Sequence, residues 1–279
     1  MTGESFSFPD FTMAQYDLYR LDDRIFWAFV IAGLVFCTLH ACRRAFRQPV
    51  PTDLPLEETE RPKEEETERH ILFQRIYHWS NAIAAITLIL SGWMIYANRG
   101  LFKLEGTPFA RFFWHRWGAA LLIVSLIFHV VYESFLARGS NPVAVNRVEA
   151  RRILAILKNF FGLSRSYPFT TKYHPGQIFF HWLVAANLFL LILTGFALWK
   201  PFRSLLPLSL FGLGWDFIFY NRLLHGFFTA TLIPGIIGHC YFALCIKKNW
   251  PETISIFTGR KSTTSLLRKG PWQSPGVRS

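Results

Sequence analysis

The chain has 279 residues, of which 51% are hydrophobic, 17% aromatic and 17% charged, and its formal net charge is +12. This composition fits a polytopic membrane protein better than a soluble domain. The basic residues flank apolar segments, so they indicate membrane topology and contacts with lipid headgroups, and they argue against nucleic acid as a partner.

The four cysteines form neither a CxxC nor a CxxCH motif. Zinc ribbons, iron–sulfur clusters and redox dithiols use the first spacing, and covalently attached c-type haem uses the second. The first three classes of site therefore lack their usual spacing, and covalent c-type haem is excluded. We interpret the four as small residues of membrane segments, namely Cys37, Cys42, Cys240 and Cys245.

The N-terminal part of the chain is predicted to hold one appended transmembrane helix. Its first apolar run extends from Ile25 to Cys42, and a basic cluster follows that run. A signal peptide carries its charges before the apolar region. The positive-inside rule therefore places the N-terminus outside and predicts a transmembrane helix within residues 1–47. Residues 48–70 are rich in proline and glutamate and are predicted to be a charged, solvated cytoplasmic linker.

Four further apolar runs are long enough to cross a bilayer. They are Ile76–Ala97, Phe113–Ala137, Gln177–Trp199 and Leu223–Ile246. The loop between the third and fourth of the five predicted spans holds seven basic residues, whereas the two loops on the other side hold three each. Together with the basic tail 261–279, these counts predict five spans with an external N-terminus and a cytoplasmic C-terminus.

The last four spans contain an internal repeat. Two of them begin HWSNAIAAITLILSG and HWLVAANLFLLILTG, and the other two each carry a pair of histidines fourteen residues apart. We therefore predict two copies of a helical hairpin, related by an axis along the membrane normal. Six of the nine histidines occupy repeat-equivalent positions: His78, His115, His129, His181, His225 and His239.

The paired histidines point to a cofactor within the membrane. Fourteen residues are close to four helical turns, so each pair lies on one helix face about 21 Å apart along the axis. Such imidazoles are able to relay protons, bind a transition metal or ligate haem iron. Proton and hard-cation paths favour carboxylates, but the predicted core spans contain one acid, Glu133.

Haem b needs neutral imidazoles on opposite sides of a flat ring, small residues beside the ring and apolar walls, and these spans supply all three. For any single glycine of these helices, helix packing is the alternative role. The glycines concerned are Gly92, Gly118, Gly195, Gly226, Gly235 and Gly238.

In combination, these motifs resemble the cytochrome b subunits of membrane-bound formate dehydrogenases, which are related to those of thiosulfate reductases and nickel–iron hydrogenases. The resemblance covers roughly residues 70–260. It rests on His78 with Ser91-Gly92, His115, KYHPGQ at 172–177, Gly195 with Trp199-Lys200-Pro201, His225, His239 and Thr258-Gly259-Arg260. It implies an all-α membrane protein in which residues 71–260 form a four-helix transmembrane haem-binding bundle of two repeated hairpins, with one extra N-terminal transmembrane helix.

The resemblance further implies two b haems. It assigns His115 and His225 to the outer haem and His78 and His239 to the inner haem. Arginines close to these ligands are candidate partners for haem propionates, because a guanidinium forms charge-assisted hydrogen bonds with a carboxylate. They are Arg75, Arg116 and Arg222.

Two additional histidines leave the ligand pairing open. His129 is level with His239, and an inner pair His129–His239 would resemble the cytochrome b of the quinol-oxidising bc complex. The repeat also relates the pair His78–His239 to the pair His181–His129, so a third haem is a further alternative.

The resemblance also implies a function in the bacterial inner membrane. The outer haem exchanges electrons with an external iron–sulfur subunit and its catalytic oxidoreductase subunit, and the inner haem exchanges them with menaquinone or ubiquinone. The implied quinone pocket contains Tyr173, His174, Gly176 and Gln177. The family has Asn at the position of His174, and an imidazole with an unperturbed pKa of about 6.5 is suited to donate a proton there.

Two other functions remain open from the sequence. A stand-alone quinone-reducing cytochrome b would purify without partners, and a non-haem metal or proton transporter would be colourless. In the leading interpretation the chain conducts electrons, and the only turnover it hosts is at the quinone.

Overall fold

A computed structural model describes residues 12–46, 66–96, 108–136, 145–160, 163, 175–205 and 215–262. Within these ranges the chain forms eight α-helices, two short strands, two π-helical turns and one 3-10 turn. The α-helices are α1 (Met13–Phe46), α2 (Leu72–Tyr96), α3 (Pro108–Val131), α4 (Arg147–Phe160), α5 (Pro175–Leu198), α6 (Lys200–Leu205), α7 (Trp215–Cys240) and α8 (Trp250–Thr258).

Five helices of the described chain are long and apolar enough to cross a membrane, which confirms the predicted all-α membrane fold with five spans. Each span overlaps a predicted apolar run, because run length and hydropathy are local properties of the sequence. The spans are Met13–Arg43, Leu72–Ile95, Ala110–Val131, Pro175–Leu198 and Asp216–Cys245.

Helix α1 begins well before the apolar run that predicted it. Thr12 Oγ1 accepts a hydrogen bond from the Gln15 backbone N–H at 3.2 Å, and Gln15 Oε1 accepts one from the Thr12 backbone N–H at 3.1 Å. This reciprocal arrangement is a capping box, which satisfies donors that a helix start leaves unpaired. With 34 residues, α1 is about 51 Å long, so it exceeds the bilayer hydrocarbon of about 30 Å.

The described residues fall into two compact units, and each unit contains one hairpin of the predicted repeat. The chain divides after Phe179 and again after Phe242. One unit holds α1, α6, α7 and nearly all of α5. The other holds α2, α3, α4, α8, both strands and the first residues of α5.

Helix α1 packs along α7 through small residues. A Cβ added to Gly33 would lie 3.0 Å from Pro234 Cα, and a Cβ added to Gly226 would lie 2.6 Å from Asp22 Oδ2. Pro234 lies inside α7, where proline removes one helical hydrogen bond and disturbs the preceding turn. The helix outside the predicted four-span core is therefore closely packed against one helix of that core.

Polar bonds near the two ends of α1 complete this packing. At one end, Gln15 Nε2 donates to Asp216 Oδ1 at 3.1 Å. At the other end, His40 Nδ1 and the Tyr241 hydroxyl are 2.9 Å apart. Since polar groups at both ends find partners on the same helix or on the turn that follows it, the register of α1 on α7 is well specified.

We expect Gly33→Leu to destabilise the protein by about 1–3 kcal/mol, the usual cost of overpacking a filled contact. The Pro234 backbone opposite Gly33 cannot rotate away as a side chain could. Unfolding in detergent, followed by helical circular dichroism, measures the effect. Ala32→Leu is the matched control, because Ala32 is the exposed neighbour of Gly33. Equal stability of the two variants would contradict the close packing.

Each hairpin is held by a bond between an asparagine and a hydroxyl on the facing helix. In the α2–α3 hairpin, Asn81 Nδ2 donates to Ser125 Oγ at 2.9 Å. In the α5–α7 hairpin, Thr231 Oγ1 donates to Asn187 Oδ1 at 2.6 Å. In both cases the partners are 44 residues apart, so the repeat seen in the sequence extends to the way each hairpin is joined.

The end of the predicted linker forms a short strand, although the sequence predicted a solvated segment. Glu66–Glu68 forms strand β1, which pairs antiparallel with β2 (Arg260–Ser262) and sets Glu68 opposite Arg260. The adjoining Arg69 makes an ion pair with Glu252 at 3.1 Å. Opposite charges across two strands contribute about 0.2–1 kcal/mol. The last residues of the predicted linker therefore pair with the end of the core, although the two segments are remote in sequence.

Candidate functional site

The six repeat-equivalent histidines lie on the four long helices of the two hairpins. One unit holds His78 on α2 with His115 and His129 on α3. The other holds His181 on α5 with His225 and His239 on α7. Each ligand pair considered from the sequence takes one histidine from each unit.

The Ser91 hydroxyl determines which nitrogen of His115 carries a proton. Ser91 Oγ donates to the Thr87 carbonyl oxygen at 2.6 Å and lies 3.1 Å from His115 Nδ1. A hydroxyl has a single proton, and here the helix carbonyl receives it. His115 Nδ1–H must therefore be the donor to Ser91 Oγ, and Nε2 is the unprotonated nitrogen, through which an imidazole can ligate a metal.

The second hairpin repeats this arrangement at the equivalent positions. Thr194 Oγ1 donates to the Leu190 carbonyl oxygen at 2.8 Å and lies 2.8 Å from His225 Nδ1. Asn221 Nδ2 also donates to the Thr194 carbonyl oxygen at 2.8 Å, which ties this part of α5 to α7. By the same proton count, His225 presents an unprotonated Nε2.

The glycine that follows each hydroxyl residue makes room for the imidazole ring. A Cβ on Gly92 would lie 3.6 Å from His115 Cε1, and a Cβ on Gly195 would lie 3.5 Å from His225 Cε1. The Ser-Gly and Thr-Gly motifs thus supply a hydrogen bond and a space in consecutive residues. Oriented neutral imidazoles with small residues beside them fit a haem that is bound through histidine nitrogen.

The other glycines of these helices divide by what they face. Three of them pack against a neighbouring residue of their own unit: Gly118 against Thr87 and Leu88, Gly226 against Asp22 and Gly235 against Phe180. A Cβ on Gly238 would meet no described atom within 4 Å. The structure thus separates glycines that serve helix packing from the two beside the imidazoles.

The histidines at the opposite depth are stacked on aromatic rings, again at equivalent positions. Tyr77 stacks on His129 with ring centroids 4.2 Å apart and 18° between the planes. Phe180 stacks on His239 at 6.0 Å and 7°. Our sequence reasoning missed both aromatic residues. The available signal was an aromatic residue directly before each His-Trp motif.

A π-helical turn follows each of these stacked histidines. The turns are Tyr132–Leu136 after His129 and Tyr241–Cys245 after His239. Single π-helical turns are rare and are enriched at functional sites. Their occurrence at equivalent places in both hairpins extends the repeat to the helix ends.

The predicted propionate partners have other contacts within their own units. Arg75 Nη2 donates to the Phe257 carbonyl oxygen at the end of α8. The Arg116 guanidinium lies 5.9 Å from the centroid of the Phe112 ring. For the third, Arg222, the corresponding distance is 5.7 Å to the ring of Tyr19 on α1.

The predicted quinone pocket is described only in part. Tyr173 and His174 lie outside the described residues. Gly176 and Gln177 lie in the first turn of α5, where Gly176 is half-buried and Gln177 is exposed. Pro175 begins this helix, which suits proline because its missing N–H would have no helical partner there.

The chain is similar in sequence to known proteins over the region that holds these histidines. Residues 69–259 match the family described as prokaryotic cytochrome b561. A relative in Escherichia coli K12, named formate dehydrogenase, nitrate-inducible, cytochrome b556(Fdn) subunit, is 26% identical over 179 residues, covering 62% of this chain and 75% of the relative. The E. coli K12 formate dehydrogenase, cytochrome b556(fdo) subunit, is 26% identical over 190 residues, covering 64% and 79%. Helix α1 precedes all residues of the family match.

Proposed function

Because the chain belongs to the prokaryotic cytochrome b561 family, we propose that it is the membrane-anchoring cytochrome b subunit of a respiratory oxidoreductase complex. It passes electrons through two b haems between an external iron–sulfur and catalytic module and the membrane quinone pool. The observation that carries this proposal is the repeated hydroxyl–imidazole pair, in which Ser91 orients His115 and Thr194 orients His225.

In this proposal His115 and His225 hold the outer haem, and His78 and His239 hold the inner haem. Bound haem supplies one-electron chemistry at its iron. The chain itself orients the imidazoles through buried hydroxyls and leaves space beside them at the Ser-Gly and Thr-Gly motifs.

We propose His239 rather than His129 as an inner ligand, following the resemblance, and the stacking gives His129 another role. The Tyr77 ring lies 4.2 Å from the His129 ring, whereas Phe180 lies 6.0 Å from His239. This stacking gives His129 a packing role within its own hairpin, which accounts for the histidine without a haem. Under this assignment His129 and His181 are not axial ligands, and a third haem bound by them is the alternative outcome of the haem assay below.

Arginines and the loop before α5 complete the proposed machinery. Arg116 directly follows His115, and Arg222 lies three residues before His225. These positions suit hydrogen bonds to the propionates of the outer haem. Arg75 lies three residues before His78, and it is the proposed partner of an inner-haem propionate. Residues 173–177 form the quinone pocket, in which Gly176 lets the quinone approach and Tyr173 and Gln177 bind it. His174 donates the proton.

The proposed setting is the bacterial inner membrane, with residues 1–11 outside and residues 261–279 in the cytoplasm. The charge difference between the loops supports this orientation. The two E. coli relatives are named as subunits of formate dehydrogenase, which supports an assembly with an iron–sulfur subunit and a catalytic subunit on the external face.

Purification from native membranes tests the proposal. We expect a Soret band, a pyridine haemochrome spectrum of b type with about two haems per chain, co-purifying iron–sulfur and catalytic subunits, and haem reduction by added quinol. A colourless preparation would favour a transporter. A haem protein that purifies alone and is reduced by quinol would instead be a stand-alone quinone-linked cytochrome b.

The space at Gly195 gives a graded prediction. Gly195→Ala should keep both haems, because its Cβ would lie at ordinary contact distance, 3.5 Å, from His225 Cε1. Gly195→Leu should lose the outer haem, since the longer side chain displaces the imidazole and overpacking costs about 1–3 kcal/mol. The haem-to-protein ratio measures both. Retention of both haems in Gly195→Leu would show that this space is not needed.

A further inference from the structure

We propose that Ser91 and Thr194 are positioning residues that would lower the midpoint potential of the outer haem and that fix the orientation of the two imidazoles that would hold it. This inference rests on the proposed ligation of that haem by His115 and His225. It goes further because it assigns a redox role to two hydroxyls that would not touch the haem iron.

The direction of each hydrogen bond is the first step. Ser91 Oγ is 2.6 Å from the Thr87 carbonyl oxygen, and Thr194 Oγ1 is 2.8 Å from that of Leu190. Each hydroxyl donates its one proton to a carbonyl oxygen of its own helix, so its oxygen accepts a hydrogen bond from an imidazole Nδ1–H. Both copies of the repeat keep this arrangement although one uses serine and the other threonine, which supports a shared role.

Burial makes these bonds consequential. Ser91 is 2% exposed and Thr194 is 7% exposed, so water does not compete for either hydroxyl. In an apolar interior a hydrogen bond is electrostatically stronger than in water, and an imidazole N–H left without its acceptor is costly. The hydroxyls also connect α2 with α3 and α5 with α7, so the rings cannot rotate without breaking a helix-to-helix bond.

The sign of the redox effect follows from the donor direction. An acceptor on Nδ1–H draws that proton away from the ring and makes Nε2 a more basic ligand. A more basic ligand stabilises ferric over ferrous iron. Each hydroxyl therefore lowers the midpoint potential of the haem it serves, and because His115 and His225 serve the same haem, the two effects fall on one redox component.

Potentiometric titration of the purified complex, followed at the haem α-band, tests this. We expect Thr194→Val and Ser91→Ala to raise the midpoint of the same component, and the double variant to raise it by the sum. A tenfold change in the ratio of ferric to ferrous haem would appear as a shift of about 59 mV for this one-electron couple. Low-temperature electron paramagnetic resonance should also show a changed low-spin signal for that haem, since its imidazole planes are released.

Two variants control for packing. Thr194→Ser keeps the hydroxyl and should keep the midpoint. Thr231→Val removes a hydroxyl from α7 that donates to Asn187 Oδ1 rather than to an imidazole, and it should leave the midpoint unchanged. Loss of the outer haem in Thr194→Val that Thr194→Ser prevents would support the positioning role, and the midpoint in Ser91→Ala would then test the redox role.

Three results would overturn it: unchanged midpoints in both Thr194→Val and Ser91→Ala, an equal shift in Thr231→Val, or shifts of two different components by the two hydroxyl variants. Failure of the proposed function is distinguishable from these results. Failure of the proposed function would appear as the absence of a b-type haem spectrum in the wild-type protein. Failure of this inference would leave that wild-type spectrum intact and would be seen only in the midpoints of the variants.

Discussion

His225→Ala should remove the outer haem and leave the inner one, so that the haem-to-protein ratio falls to about half of the wild-type value. His225 presents an unprotonated Nε2 because its Nδ1–H is bonded to Thr194 Oγ1 at 2.8 Å, and alanine offers no ligand atom in its place. His115→Ala should give the same loss, because both imidazoles serve one iron. The pyridine haemochrome assay and the redox titration measure which component disappears.

The matched control for this experiment is His40→Ala. His40 lies on α1 and is bonded to the Tyr241 hydroxyl at 2.9 Å, so it is a membrane histidine outside the proposed ligand set. Its replacement should leave the haem ratio at the wild-type value. Full retention of haem in His225→Ala, or loss of different haems from His225→Ala and His115→Ala, would refute the proposed outer pair.

The second large effect concerns the inner haem. His239→Ala should lose the inner haem and bring quinone reduction close to background, because electrons then have no cofactor beside the quinone pocket. His129→Ala should keep both haems, since His129 is outside the proposed ligand set and packs against Tyr77 of its own hairpin, with ring centroids 4.2 Å apart. Haem content and quinol-dependent haem reduction measured on the same preparations separate the two roles.

The alternative pairings make different forecasts for the same set of variants. If His129 and His239 share the inner haem, His129→Ala loses it and His78→Ala keeps it. If a third haem is present, the wild-type ratio is close to three, and His129→Ala and His181→Ala each lose one. The four variants therefore assign the inner ligands without reference to any relative.

Much of the architecture could be predicted because it depends on local sequence. A span is recognisable from the length of an apolar run, and five were confirmed. The repeat was recognisable because both copies keep the His-Trp, Ser/Thr-Gly and paired-histidine spacings. The match of residues 69–259 to a cytochrome b family agrees with the resemblance that those spacings carried.

The parts that escaped prediction depend on which helix faces which. The aromatic residues Tyr77 and Phe180 stand directly before the His-Trp motifs, yet only the packed hairpins bring them onto His129 and His239. The spacing that identified Ser91-Gly92 could not say that its hydroxyl would bond an imidazole on the next helix. Among the six glycines, only the structure distinguished the two that face an imidazole, Gly92 and Gly195, from the others.

The sequence by itself therefore determined the class of protein, the number of spans, the repeat and the candidate histidines. Each of these depends on the residues of a single span or on the recurrence of the same spacing in a second span. Only the tertiary structure decided the partner of α1, the pairing of Glu66–Glu68 with Arg260–Ser262 and the nitrogen that each oriented histidine presents. These depend on contacts between segments remote in the chain, where the direction of a side chain and the position of one hydroxyl proton matter more than residue type.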